Sequence, residues 1–315
     1  MNASDRKPLI LKGARQIGKT FSLKKFGELC FRQTHYFNFE KQVNLHSIFE
    51  KDFEPQRIIK DLSFVVGKSI SENDLIIFDE IQSCPKALNS LKYFSEDMAH
   101  LKICAAGSLL GVHIGAEPFP VGAVHFLNMY PMSFEEFLLA MDEKQLFQEI
   151  RSLKYGNEIN SIAHEKLLEL LKAYYVTGGL PAAVKEFRKN KSNLFLAFQN
   201  VRSKQEDLLL SYYADMAKHS GKTNSMHIER ILKNIPGQLM QVSEGSSHRF
   251  SFKDLGPGLS RFSQAIGPID WLEKAGLIYK VPICNQALSP LSVFTKENLF
   301  KLYCFDVGFW GCLAG

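Results

Sequence analysis

One segment near the start of the chain has residue types and spacing that suit phosphate binding. Residues 13–20, Gly-Ala-Arg-Gln-Ile-Gly-Lys-Thr, fit the pattern G-x-x-x-x-G-K-[ST]. Glycines let the backbone curl until successive N–H groups point at a phosphate, and a helix that begins at Lys19 adds the positive end of its dipole. Lys19 would neutralise the β- and γ-phosphates, and Thr20 would ligate a bridging Mg²⁺ ion. The predicted phosphate-binding residues are Gly13, Ala14, Arg15, Gln16, Ile17, Gly18, Lys19 and Thr20.

Two carboxylates follow the most apolar short run of the chain. Residues 75–78, Leu-Ile-Ile-Phe, end on Asp79 and Glu80. Open α/β sheets bind ligands at the carboxyl ends of their strands, so we expect this pair beside the phosphate loop of a neighbouring strand. Asp79 would hold the Mg²⁺ through water, and Glu80 would orient and deprotonate the attacking water. A solvated strand end is the alternative, and the phosphate loop about 60 residues upstream favours the catalytic interpretation.

Ser108 closes the next predicted strand, residues 102–106. Neighbouring strand ends converge on one crevice, where Ser108 would hydrogen-bond the γ-phosphate or the attacking water. The alternative is a polar residue in a Gly-Ser turn. Glu80, Lys19 and Ser108 are thus the predicted catalytic residues, and Thr20 and Asp79 the predicted metal ligands.

Strands that alternate with helices must position these residues. Short apolar runs at 8–12, 35–39, 75–78, 102–106 and 124–129 predict a doubly wound α/β fold with a parallel sheet. From Ser133 onward, apolar residues recur at helical spacing and predict a helical second unit, with a loop at residues 217–224. Between residues 226 and 294, two helices precede a β-hairpin, which suggests a winged helix.

These patterns give four predicted segments. They are a P-loop core at 1–132, a helical lid at 133–224, a winged-helix-like segment at 225–295 and the start of a further region at 296–315.

Composition places the chain among ordinary globular proteins. It has 315 residues, of which 45% are hydrophobic and 23% charged, and its formal net charge is +5. The six cysteines form no CxxC pair and have no histidine at zinc-ligand spacing, so we interpret them as reduced thiols. We predict no signal peptide and no membrane helix, and therefore a cytoplasmic protein.

Six motifs together resemble the predicted prokaryotic AAA+ ATPases that have an AAA_14 core and a DUF4143 C-terminal region, a family related to the STAND group of NTPases. The resemblance covers nearly the whole chain. The motifs are the phosphate loop and the segments 75–82, 105–111, 130–137, 177–184 and 300–308.

The resemblance implies an AAA ATPase domain that binds ATP in preference to GTP, a helical lid and a winged-helix segment. In STAND relatives a Gly-x-Pro motif contacts the nucleotide base, and Gly179-Leu180-Pro181 matches it, which makes Pro181 a predicted base contact. A turn that opens a helix is the alternative for Pro181. Members with a nuclease-like region continue well beyond Asp306, so we expect any nuclease site to be absent from these 315 residues.

The sequence leaves the identity of an arginine finger open, because Leu109 follows Ser108 where many STAND relatives have arginine. The candidates are Arg188, Arg202, Arg230, Arg249 and Arg261.

Two functions fit these patterns. The first is hydrolysis of Mg-ATP that drives a conformational change. The alternative is a nucleotide-gated switch with very slow hydrolysis that engages DNA or a protein through its winged-helix segment. That segment has few basic residues and also carries Asp270 and Glu273, so its charge pattern favours a solvated, intramolecular packing module over a DNA-reading helix. The oligomeric state stays open.

Overall fold

The computed structural model describes residues 6–113, 120, 122–156, 158–241 and 249–315. These residues form two compact units, Met1–Tyr130 and Pro131–Gly315.

The described residues of the N-terminal unit form a five-stranded sheet with helices. Its neighbouring strands are all parallel and follow the order β2-β3-β4-β1-β5. The predicted α/β fold with a parallel sheet is therefore confirmed. The strands are β1 Leu9–Lys12, β2 Thr34–Asn38, β3 Leu75–Asp79, β4 Lys102–Gly107 and β5 His125–Asn128, and the helices are α1 Lys19–Cys30, α2 His46–Glu50, α3 Pro55–Val66, α4 Pro85–Asp97 and α5 Leu110–His113.

Strand β3 lies inside this sheet and explains the apolar run at residues 75–78. All five of its residues are buried, as expected for a strand covered on both faces. Ile76 and Phe78 belong to the larger apolar cluster on one face, and Leu75 and Ile77 belong to the cluster on the other. Strand β4 separates β3 from β1, so the prediction that the carboxylates follow a strand adjacent to the phosphate loop was wrong in this detail.

The described residues of the C-terminal unit are mainly helical and include one antiparallel hairpin. The loop predicted at residues 217–224 reduces to a single break at Gly221, whose φ of 77° ends one helix and precedes the next. The helices are α6 Phe134–Ala140, α7 Lys144–Ser152, α8 Ser161–Thr177, α9 Pro181–Asn190, α10 Leu194–Ser220, α11 Lys222–Met240, α12 Phe262–Lys274 and α13 Val307–Ala314, and the strands are β6 Ile278–Cys284 and β7 Thr295–Cys304.

Helices α11 and α12 and the hairpin β6–β7 follow each other in the order expected for the winged-helix-like segment. In addition, the backbone N–H of Phe250 donates to the carbonyl of Phe300 on β7, 2.8 Å away. The boundary predicted at residue 295 falls on the first residue of β7. The division of this unit into lid, winged helix and further region stays a prediction.

No helix of the described residues is both long enough and apolar enough to cross a membrane.

Three glycines allow a close junction of backbones inside the C-terminal unit. A Cβ at Gly179 would overlap the backbone of Met132, and one at Gly308 would lie 2.5 Å from the nitrogen of Gly178. Asp306 completes this glycine junction, since its buried carboxylate accepts hydrogen bonds from the N–H of Gly179 at 2.6 Å and of Phe309 at 2.8 Å. Three of the six motifs, 130–137, 177–184 and 300–308, therefore meet here, although 127 residues separate Gly179 from Asp306.

We expect Gly179→Ala to destabilise the C-terminal unit by about 1–3 kcal/mol, because the new methyl group has no space beside Met132. Gly237→Ala is the matched control: Gly237 lies within α11, and its new methyl group would meet no other atom within 4 Å, so this change should be neutral or stabilising by up to about 1 kcal/mol. Both tryptophans, Trp271 and Trp310, lie in this unit, and their fluorescence during urea unfolding measures both effects. Equal stability of the two variants would contradict the steric argument.

Candidate functional site

The loop between β1 and α1 has a conformation that its glycines permit. Gly13 has φ of 151° and Gly18 has φ of 100°, both in the region that side chains rarely adopt. A Cβ at Gly13 would also overlap the carbonyl oxygen of Met129, which follows β5. Gln16 takes a positive φ of 63° without being glycine. The loop is thus tightly curled before it enters the helix, as the phosphate-binding prediction requires.

Lys19 is the first residue of α1, and its side chain turns back over the loop. Its Nζ donates hydrogen bonds to the carbonyl oxygens of Ala14, at 2.6 Å, and Gly13, at 3.1 Å. Burial lowers the pKa of the ammonium from 10.5 to about 8, although the charges of Glu80 and Asp79 oppose this shift. A lysine that is only 7% exposed and held by neutral carbonyls is suited to receive an anion.

Asp79 ends β3, and its carboxylate is hydrogen-bonded to residues from α1 and β2. The Thr20 hydroxyl lies 2.9 and 3.1 Å from its two oxygens. The Tyr36 hydroxyl donates to Oδ2 at 2.6 Å, and the Asn38 amide approaches the same atom at 3.4 Å. The pKa of Tyr36 rises to about 12, first through burial and then through its hydrogen bond to Asp79.

The structure therefore places the two predicted metal ligands next to each other. A hydroxyl and a carboxylate are hard oxygen donors, which Mg²⁺ prefers, and Mg²⁺ is commonly bound through one or two protein groups together with phosphates. The pair fits such an ion.

Glu80 and Ser108 also meet at this edge of the sheet. Ser108 is buried directly after β4, and its hydroxyl lies 3.1 Å from Oε2 of Glu80. Glu80 itself adopts a left-handed backbone conformation, with φ of 50°. Such a conformation is costly for a residue with a side chain and is concentrated at functional sites.

The remaining predicted site residues take different positions. Ala14 and Ile17 are buried residues of the loop itself, and the Arg15 guanidinium lies 3.9 Å from Glu40. Pro181 belongs to the C-terminal unit, where it is the first residue of α9. Its role as a base contact stays a prediction.

Three residues of this site escaped the sequence analysis: Tyr36, Asn38 and Gln82. Gln82 lies in the turn after β3 and donates from Nε2 to Oε2 of Glu80 at 2.5 Å. Tyr36 and Asn38 are two residues apart at the end of β2, so their side chains point to the same face of the sheet. That spacing was a usable signal, but only with the pairing of Asn38 opposite Asp79 in hand.

Family models match two parts of the chain. Residues 5–138 match the family model of an AAA domain, and residues 168–315 match a domain of unknown function, DUF8612. The DUF4143 region implied by the resemblance is thus not supported, because a different family model matches the C-terminal part. No curated protein matches the chain.

Several solved structures show weak similarity in shape. PCH-2 of C. elegans has a TM-score of 0.38 and 11% identity over 62% of this chain, which spans 60% of the PCH-2 chain. Drosophila ORC bound to DNA has a TM-score of 0.36 and 13% identity, with 95% and 86% of the two chains covered. The RuvB Holliday junction branch migration motor of Thermotoga maritima has a TM-score of 0.31 and 13% identity, with 88% and 82% covered.

The match to the AAA domain model and the local geometry around Lys19, Thr20 and Asp79 support the same conclusion: residues 5–138 are similar to AAA domains and have the features of an ATPase-type nucleotide-binding domain.

Proposed function

We propose that this protein binds Mg-ATP at the loop of residues 13–20 and hydrolyses it to drive a conformational change. The observation that carries the proposal is the convergence of four groups at one edge of the sheet: the Lys19 ammonium, the Thr20–Asp79 pair and the Glu80 carboxylate. Each has a separate role in phosphoryl transfer to water.

The loop and Lys19 bind the phosphates. The N–H groups of the loop and the start of α1 provide partial positive charge, and Lys19 provides a full charge. When phosphate oxygens arrive, the ammonium exchanges its carbonyl partners, Ala14 and Gly13, for anionic ones. Hydrogen bonds to charged acceptors are stronger, so this exchange favours the bound state.

Thr20 and Asp79 would hold the metal ion, Thr20 by direct ligation and Asp79 through water. Bound Mg²⁺ neutralises charge on the phosphate oxygens. Tyr36 and Asn38 keep the Asp79 carboxylate in place through their hydrogen bonds to Oδ2, and so restrict where the ion is bound.

Glu80 would orient the attacking water and take its proton, with Ser108 beside it. The charges of Glu80 and Asp79 both act on the Lys19 ammonium, which supports a general base close to the bound phosphates. We also propose that Pro181 contacts the adenine base and that α12 and the hairpin engage DNA or a protein.

We expect Lys19→Ala to weaken ATP binding by a factor of about 30 or more, since removal of one partner of a buried charge pair costs about 2 kcal/mol or more. Isothermal titration with ATP measures the change. Lys25→Ala is the control, because Lys25 is exposed on the same helix and pairs with Glu28. Unchanged affinity in Lys19→Ala would refute the phosphate-binding assignment.

Glu80→Gln should keep the ATP affinity within about threefold and lower kcat by a factor of about 10² to 10⁴, the usual contribution of a general base. Phosphate release, with and without duplex DNA, measures turnover, and Glu28→Gln on the surface of α1 is the control. Normal turnover in Glu80→Gln would mean that another residue orients and deprotonates the attacking water. ATP binding by wild type with turnover at background would instead favour the slow nucleotide-gated switch.

ATP affinity should fall as pH rises above about 8, because the Lys19 ammonium of the free protein loses its proton there. A bound phosphate raises the pKa of the Lys19 ammonium. Above pH 8, ATP binding is therefore coupled to uptake of a proton by Lys19, and the affinity falls by up to about tenfold per pH unit. Titrations without Mg²⁺ from pH 7 to 9.5 test this, with circular dichroism to verify folding. A flat profile in wild type, or the same decline in Lys19→Ala, would contradict it.

A further inference from the structure

Gln82 lies between Glu80, the proposed general base, and Gly107, the last residue of β4. It lies in the short 3-10 turn Ile81–Ser83 that follows Glu80. Its Nε2 donates to Oε2 of Glu80 at 2.5 Å. A Cβ at Gly107, the residue before Ser108, would overlap its Oε1. The side chain therefore bridges the ends of β3 and β4.

The orientation of this amide is dictated by charge. An ionised carboxylate only accepts hydrogen bonds, so the amide nitrogen of Gln82 must face Glu80. The other end, Oε1, is then buried, and it has no hydrogen-bond partner among the described residues. A buried acceptor without a donor is unfavourable, and an apolar side chain of the same length would fill this space without that cost. Packing alone therefore does not account for glutamine at this position.

A second donor reaches the same oxygen from β4. The Ser108 hydroxyl lies 3.1 Å from Oε2 of Glu80, and its backbone nitrogen lies 3.5 Å away. Two side chains from different strand ends thus hold a single carboxylate oxygen. With Oε2 fixed in this way the carboxylate cannot rotate freely, and its second oxygen keeps one direction.

We propose that Gln82 is a positioning residue for Glu80: it fixes Oε2 together with Ser108, so that Oε1 is presented to the attacking water in a single orientation. This inference rests on the proposed function, because it assigns the means by which the proposed base is aligned. Gly107 is part of the arrangement, since only a residue without a side chain leaves room for the amide.

Gln82→Met keeps the length of the side chain and removes its hydrogen-bonding groups. We expect kcat to fall about 10- to 100-fold while the dissociation constant of ATP changes less than threefold. Gly107→Ala should also lower kcat more than affinity, because its methyl group would displace the Gln82 amide. The same methyl group would lie 2.8 Å from Cγ of the buried Leu110, so circular dichroism is needed to verify that this variant folds. Gln56→Met, on the exposed side of α3, is the control and should leave both constants unchanged.

A double-variant cycle tests whether Gln82 and Ser108 act together on Oε2 of Glu80. Because Gln82 and Ser108 hold the same oxygen, the loss in Gln82→Met combined with Ser108→Ala should be smaller than the product of the two single losses. Independent, multiplicative losses would overturn the shared role.

A measurement without nucleotide tests the contact itself. The side-chain amide signals that disappear from the nitrogen–proton NMR spectrum of Gln82→Met identify Gln82. In wild type these signals should exchange slowly with deuterium and should shift in Glu80→Ala. Exchange as fast as that of the exposed Gln56 amide, with no shift in Glu80→Ala, would overturn the inference.

The outcomes distinguish this inference from the function on which it rests. Full turnover in Gln82→Met and in Gly107→Ala would overturn the role of Gln82 and leave the proposed ATPase intact. Absence of hydrolysis in wild type would overturn both.

Discussion

The Asp79 carboxylate is only 3% exposed, and it accepts hydrogen bonds from side chains of α1 and β2. Burial of a carboxylate is unfavourable unless donors surround it, and here those donors come from segments about 40 and 60 residues away. Thr20 can reach Asp79 only if the loop curls as it does and α1 begins at Lys19. The geometry of the phosphate loop and that of the sheet are therefore linked through one carboxylate.

This linkage also explains the unusual state of Lys19. The turn that brings Thr20 to Asp79 also brings the ammonium of the preceding residue into the interior, where desolvation lowers its pKa. The carboxylates of Asp79, at the end of β3, and of Glu80, directly after it, partly compensate by their charge, and the loop carbonyls supply hydrogen bonds. These contacts let the protein fold with Lys19 buried. Because its hydrogen-bond partners are neutral carbonyls, the ammonium would gain by exchanging them for an anion.

The sequence was sufficient for the local part of this site and insufficient for the rest. The curled loop between β1 and α1 is encoded within eight consecutive residues, and the apolar run at 75–78 reveals a buried strand, so both conformations were predictable; phosphate binding by the loop stays a prediction. Tyr36, Asn38 and Gln82 depend on strand order and register, which no short segment encodes. The same limit explains why β4 was not expected between β1 and β3. The loop predicted at residues 217–224 is polar but almost entirely helical, because only Gly221 takes a conformation that ends a helix.

The glycine junction of the C-terminal unit has a consequence for how such a sequence can evolve. Where side chains pack against each other, a larger residue at one position is often offset by a smaller one at another. At Gly179 and Gly308 the neighbours are backbone atoms of Met132, Thr177 and Gly178, and backbone has no smaller version. A substitution at either position cannot be offset by a smaller neighbouring side chain, so we expect glycine to be retained there. The motifs at 177–184 and 300–308 would therefore persist together in related chains even if neither contacted a ligand.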